Sequence, residues 1–206
     1  MSSLFEPTTL AGLALQNRIV MAPLTRNRAD AMGVPKPFVS DYYAQRAGAG
    51  LIISEGTQTS FAGQGYCRTP GIHTPEQVAA WKIVTDAVHA RGAKMFMQFM
   101  HCGRIAHPLN RQVPDVPVAP SAVRPAGQMW TDQQQLQDYP TPRAFDTAEL
   151  PGLVAEFVTA ARNAMAAGFD GVELHAANGY LLNQFLASNT NLRTDGYGTT
   201  VQGRIR

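Results

Sequence analysis

An alternation along the chain constrains its fold more than any single motif. Short apolar runs, too short for helices, are separated by stretches with helical spacing. Arg18–Ala22 is the first buried-strand candidate and stops at Pro23; Leu51–Ser54, Lys94–Met100 and Phe169–Leu174 follow. Pro37–Ala47 predicts a helix, stopped by Gly48 and Gly50. Thr74-Pro75-Glu76-Gln77 predicts a helix start, with Thr74 as cap, Pro75 in the first turn and Gln77 completing a capping box. Val78, Trp81, Val84 and Val88 then recur at helical spacing until Gly92. Thr147 opens a further helix, with Leu153, Phe157, Ala161 and Met165 on one face, Pro151 in its first turn and Gly168 behind it. Ahead of all this, Thr8–Leu15 alternates around Gly12 and predicts a small hairpin.

Short apolar strands joined by helices imply a parallel sheet, because parallel strands need crossovers. Two α/β architectures accommodate that order: a doubly wound open sheet and a (β/α)8 barrel (TIM barrel). The open sheet predicts a glycine-rich phosphate turn after the first strand. Here that turn reads Pro23-Leu24-Thr25-Arg26-Asn27, without glycine. The barrel is the expected fold. One long excursion, His101–Asp146, holds seven prolines and little periodicity. Stretches of that length in a compact domain are often lids.

Composition narrows the function classes. The 206 residues suffice for a single domain, residues 1–206, with a sizeable core. A formal net charge of +2, with the two signs interspersed, gives no footprint for nucleic acid. No apolar run approaches the roughly 18 residues that cross a bilayer, and the N-terminus lacks a secretory pattern. Neither Cys67 nor Cys102 belongs to a paired metal-ligand spacing. A cytoplasmic protein with no membrane partner is expected.

Active sites of parallel barrels lie beyond the carboxyl ends of the strands. Those ends carry Pro23-Leu24-Thr25, Glu55-Gly56-Thr57, Gln98-Phe99-Met100-His101 and His175-Ala176-Ala177-Asn178. The set is rich in neutral hydrogen-bonding groups. It holds no serine triad, no lysine placed for a Schiff base and no zinc-ligand pair on one helix face. Such a rim suits an organic cofactor that performs the difficult chemistry itself. His175 and Asn178 can aim donors at one oxygen, and Tyr180 offers a phenolic proton. On spacing alone, the three read more readily as a core histidine, a turn asparagine and a packing tyrosine.

Their joint occurrence carries more weight. His175-Ala-Ala-Asn178-Gly-Tyr180-Leu-Leu-Asn-Gln-Phe-Leu resembles the signature of the Old Yellow Enzyme family. So do Asn17-Arg18-Ile-Val-Met-Ala-Pro23-Leu24-Thr25, Arg46-Ala-Gly-Ala-Gly-Leu-Ile-Ile-Ser54-Glu55-Gly56-Thr57, Thr69-Pro-Gly-Ile-His73-Thr-Pro-Glu-Gln and Pro117-Val-Ala-Pro-Ser-Ala. The blocks run in order from about Leu4 to about Tyr197. The resemblance implies a (β/α)8 barrel binding FMN non-covalently, of which this chain covers about the first four β/α units plus the excursion. It implies reduction of activated C=C bonds, in unsaturated carbonyls and nitroalkenes, at the expense of NADPH or NADH in a ping-pong order. Thr25 is then expected at the flavin C4 carbonyl, Gln98 at its pyrimidine edge, and Pro23, Leu24 and Gly56 against the ring. His175 and Asn178 are expected to hold the substrate oxygen, with Tyr180 as proton donor. Met100 lines the substrate pocket where many relatives carry tryptophan.

By the same resemblance, later strands supply an arginine near the flavin and the phosphate loops. An incomplete FMN site is therefore expected if this chain acts alone. Three arrangements stay open: a split enzyme completed by a second chain, a symmetric dimer of half-barrels, and a non-catalytic fragment. A cofactor-independent or metal-dependent barrel lyase is the competing enzyme class.

Overall fold

The structure is a computed structural model that describes residues 3–133 and 135–206. The expected hairpin is present. Strand β1 (Thr8–Leu10) pairs antiparallel with β2 (Leu13–Leu15), Thr8 opposite Leu15. Ala11 and Gly12 both take positive φ, 47° and 87°. That is the two-residue turn whose twist matches the flanking strands.

The alternation then unfolds in the expected order. Strand β3 (Val20–Met21), helix α1 (Phe38–Ala44), strand β4 (Leu51–Ile53), helix α2 (Pro75–His89) and strand β5 (Lys94–Phe99) follow one another. The excursion comes next and is not structureless. It contains β6 (Val118–Ala119), β7 (Gln128–Trp130), β8 (Leu136–Asp138) and β9 (Arg143–Ala144). β7 and β8 form a hairpin, and β6 pairs in parallel with β9. Strands of two or three residues are too short to leave a period in the sequence. Helix α3 (Leu150–Ala166), strand β10 (Gly171–Leu174) and the short helices α4 (Leu181–Leu186) and α5 (Val201–Arg204) complete the chain.

β3, β4, β5 and β10 make one four-stranded sheet, and every adjacent pair in it is parallel. Their order in space is their order in sequence. Each crossover therefore steps one strand further in the same direction. A doubly wound sheet reverses direction at a switch point; this sheet winds as a barrel does.

The four sheet strands and α1 fall short of their sequence boundaries by one to three residues at one or both ends. Pro37 leads α1 without a side-chain cap, and α1 ends at Ala44 before the turn that reaches Gly48. The capping box of α2 forms as expected: Gln77 N–H donates to Thr74 Oγ1 at 3.3 Å, and Thr74 N–H to Gln77 Oε1 at 3.1 Å. The start of α3 is corrected. Asp146 stands at the cap position before Thr147, its N–H donating to Glu149 Oε2 at 2.7 Å. A single 3-10 turn, Thr147–Glu149, then leads into the helix, with Pro151 in its first turn.

The core lies between the sheet and its helices. Trp81, Val84 and Val88 of α2 are buried against Ile52, Met95, Met97, Phe99 and Phe169. α3 contributes differently from expectation. Met165 is 57% exposed, whereas Ala160 and Ala164 are buried in the main cluster. Leu150 and Leu153, at the other end of α3, pack instead with Leu181. The helix meets the sheet through its small residues, which permit close approach. Val154, Val158, Val172 and Leu174 face outward beside the free edge of β10. No helix among the described residues is long and apolar enough to cross a membrane.

Candidate functional site

Because the four strands are parallel, their carboxyl ends form one rim, and the backbone ladder continues past the formal strand ends into it. Thr57 N–H donates to Gln98 O at 2.9 Å, Met100 N–H to Thr57 O at 2.9 Å, and His175 N–H to Phe99 O at 3.0 Å. Leu181 N–H donates to His101 O at 2.9 Å, which fixes the start of α4 to the end of β5. The loops that carry the candidate residues are thus anchored at their bases.

His175 follows β10 directly. Its Nδ1 accepts the N–H of Ala177 at 3.4 Å, which assigns the ring proton to Nε2. Burial lowers its proton affinity, against an opposing pull from Glu173. At neutral pH the ring is an uncharged donor. Asn178 has φ 56° and Gly179 φ 80°. Asparagine tolerates this left-handed backbone better than most residues, so the turn alone accounts for its presence. Its side chain is exposed. Tyr180 is half-buried and packs edge-on to His175, with ring centroids 4.8 Å apart at 74°. The structure therefore brings His175 and Tyr180 together and sets Asn178 on the turn between them.

A residue that sequence reasoning missed completes this cluster. Tyr66, in the loop after β4, places its hydroxyl 2.9 Å from that of Tyr180. The two residues are 114 positions apart and no local pattern marks Tyr66. Burial raises the proton affinity of both phenols.

The residues expected around the cofactor occupy the ends of β3, β4 and β5. Pro23, Leu24 and Thr25 follow β3; Leu24 is 52% exposed and Thr25 is exposed. Arg26 N–H donates to Glu55 Oε2 at 2.9 Å, which ties this loop to the end of β4. Burial pushes the Glu55 carboxyl up to about 7, against the opposing pull of Arg26. Gly56 is buried beside Met100; a Cβ there would meet Met100 Sδ at 2.7 Å. Its missing side chain is thus already required by Met100. Met100 is 3% exposed, so it is packed beneath the rim in this chain. Gln98 is 6% exposed and its Nε2 donates to Glu173 Oε1 at 2.7 Å, a pairing across the β5–β10 register. Its Oε1 is the atom left to receive a ring N–H.

Fully buried His101 is held within its own loop. Its Nδ1 accepts Gly103 N–H at 3.1 Å, and burial with the nearby Arg111 charge holds it down at about 3. Cys102 is buried and free, its thiol pushed up to about 12 by burial. Two clefts among the described residues lie elsewhere. One of about 570 Å³ runs between the excursion and residues 192–195, lined by Pro120, Phe145, Thr147 and Arg193. An apolar groove follows the free edge of β10, lined by Leu153, Phe157, Leu174 and Leu186. Neither includes His175, Asn178 or Tyr180. The candidate site is an open rim.

The rim fits the ring portion of a flavin. It offers exposed apolar atoms at Leu24, neutral hydrogen-bonding groups at Thr25 and Gln98, and a neutral imidazole donor at His175. Comparisons with known proteins agree with that chemistry. Residues 3–206 match the NADH:flavin oxidoreductase / NADH oxidase family. The chain is 46% identical to a chanoclavine-I aldehyde reductase of Penicillium roqueforti, over 100% of its own length and 54% of that protein. It is 42% identical to a probable flavin mononucleotide-dependent alkene reductase of Leishmania infantum, over 98% of its length and 57% of that protein. The solved old yellow enzyme homologue from Zymomonas mobilis superposes with a TM-score of 0.94 at 45% identity, covering 99% of this chain and 57% of that one. The chain thus spans somewhat over half the length of these relatives. It belongs to the NADH:flavin oxidoreductase / NADH oxidase family and carries a barrel portion of the Old Yellow Enzyme type.

Proposed function

We propose that this chain carries the substrate-activating half of an FMN-dependent, NAD(P)H-consuming reductase of activated C=C bonds. The observation behind this reading is the convergence of a neutral His175 donor, exposed Asn178 and the Tyr180 hydroxyl on one turn after β10. Bound FMN would supply the redox chemistry, taking hydride from NADPH or NADH and passing it to an alkene in ping-pong order. Thr25 would hold the flavin C4 carbonyl and Gln98 Oε1 its pyrimidine N–H, with Pro23, Leu24 and Gly56 against the ring.

The chain's own residues then act on the alkene. His175 Nε2–H and the Asn178 amide donate to its carbonyl or nitro oxygen. Charge grows on that oxygen as hydride reaches the β-carbon, so these donors stabilise the transition state more than the ground state. Losing one such donor typically costs roughly 10²–10³ in rate. Tyr180 gives its proton to the α-carbon. Met100, packed against Gly56, bounds the substrate side of the rim.

The open edge of β10 and the apolar groove beside it suit further strands and helices that close the barrel, from the same or another polypeptide. The test is the visible spectrum and native mass of the purified protein. Bound flavin that bleaches anaerobically with NADPH and regains its colour with 2-cyclohexenone is the expected result. A colourless protein that takes up no added FMN would sink the proposal.

A further inference from the structure

We propose that Tyr66 is the positioning residue of Tyr180, donating its hydroxyl proton to the Tyr180 oxygen across 2.9 Å and so reserving the Tyr180 proton for transfer. This rests on the reductase reading above and adds a residue to it. The loop that carries Tyr66 is built for placement. A Cβ on Gly65 would meet Cys102 Cβ at 2.5 Å, so the backbone just before Tyr66 lies directly on the segment after β5. The Tyr66 carbonyl accepts Thr69 Oγ1 at 3.2 Å and Gln64 Nε2 at 3.4 Å. The rings of Tyr66 and Tyr180 meet edge-on, centroids 6.3 Å apart at 81°. Backbone, carbonyl and ring are all held, and the hydroxyl points at one partner.

Each phenol has a single proton. Burial raises the proton affinity of both phenols; the bond between them lifts Tyr66 further, far above the usual phenol range, and opposes the rise at Tyr180. The 2.9 Å contact admits either hydroxyl as donor, and in the proposed arrangement Tyr66 keeps its proton and donates. During turnover the Tyr180 O–H bond breaks and its proton forms the new C–H bond at the α-carbon, using the electron pair of the enolate. The pair left on the Tyr180 oxygen is then stabilised by Tyr66 O–H until water returns a proton. His175, whose ring meets Tyr180 edge-on, Cys102 and the excursion residue Tyr139 are the other titratable neighbours; burial lowers the proton affinity of His175, so none of the three supplies a cation there at neutral pH.

The test is Tyr66→Phe, which keeps the ring and removes only the hydroxyl. In protein labelled at tyrosine Cζ, the Tyr180 carbon signal, identified by its loss in Tyr180→Phe, is expected to move in Tyr66→Phe at neutral pH. Reduction of 2-cyclohexenone, which needs α-carbon protonation, is expected to fall about tenfold, the worth of one hydrogen bond to a developing charge. Hydride transfer to a nitroalkene, whose nitronate product can leave unprotonated, is expected to stay within twofold. In a Tyr180→Phe background, Tyr66→Phe is expected to add nothing. An unmoved Tyr180 signal, an equal loss with both substrates, or multiplicative losses would overturn the proposal. If the parent protein reduces neither substrate, the reductase reading fails, and the Tyr180 signal still decides whether Tyr66 donates to it.

Discussion

The sheet and the excursion are held together by different means. β4, β5 and β10 share a continuous backbone ladder over an apolar core that includes Trp81, Met95, Met97 and Phe169. Among its described residues the excursion has a two-residue parallel pair, one short hairpin and a single 3-10 turn of its own. Polar side chains do most of its anchoring. Arg193 donates to Pro120 O at 3.1 Å and to Phe145 O at 2.5 Å, holding the residues that follow β6 and β9 at once, and its guanidinium also pairs with Asp195. Asn110 reaches Trp130 O at 2.8 Å, and Arg111 reaches Ala62 O at 3.1 Å. A frame tied by backbone and burial tolerates surface change; a segment tied by a few charged side chains can be released by one.

That contrast can be broken at its strongest point by Trp81→Ala. The ring is fully buried and packs edge-on to Phe169 at 5.5 Å. A loss of about 3–5 kcal/mol is expected, read as a lower denaturant midpoint for the whole protein. Arg193→Ala should act locally instead. Amide exchange of Arg143 and Phe145, which pair with Pro117 O and Ala119 O, should lose about 2–3 kcal/mol of protection while Met97 keeps its own. Equal loss at Met97 would show that the two regions are one cooperative unit.

Glu55 sharpens the comparison through pH. Its folded-state proton affinity is raised, from 4.5 to about 7, chiefly by burial. Its contribution to stability is therefore complete below about pH 4.5 and lost as pH rises through about 7. The expected decline is on the order of 1–2 kcal/mol, and Glu55→Gln should abolish that slope. A parent protein whose stability stays level across that window would contradict the burial argument.

The sequence made some of this legible and concealed the rest for identifiable reasons. The α2 capping box, the Gly12 hairpin and the strand order were readable because each depends on residues near one another in the chain. On α3, Leu153, Phe157 and Ala161 pack as their spacing implied, but Met165 is exposed and Ala160 and Ala164 are buried, because they pack by smallness, which hydrophobic spacing ranks below methionine. β6 to β9 were invisible because two or three residues cannot express a period. At the site, His175, Asn178 and Tyr180 were found as one block. Tyr66 was not, since its role depends on a partner far along the chain, and Gln98 gave no hint that Glu173 would occupy its amide.

The sequential order of the sheet also bears on how the protein is made. Each strand lies beside one that the ribosome has already delivered, so β4 docks on β3, β5 on β4, and β10 on β5. Vectorial synthesis at roughly 5–20 residues per second can build the sheet without waiting for sequence not yet translated. At every stage the nascent sheet offers its next strand a single growing edge, on the side where new polypeptide emerges.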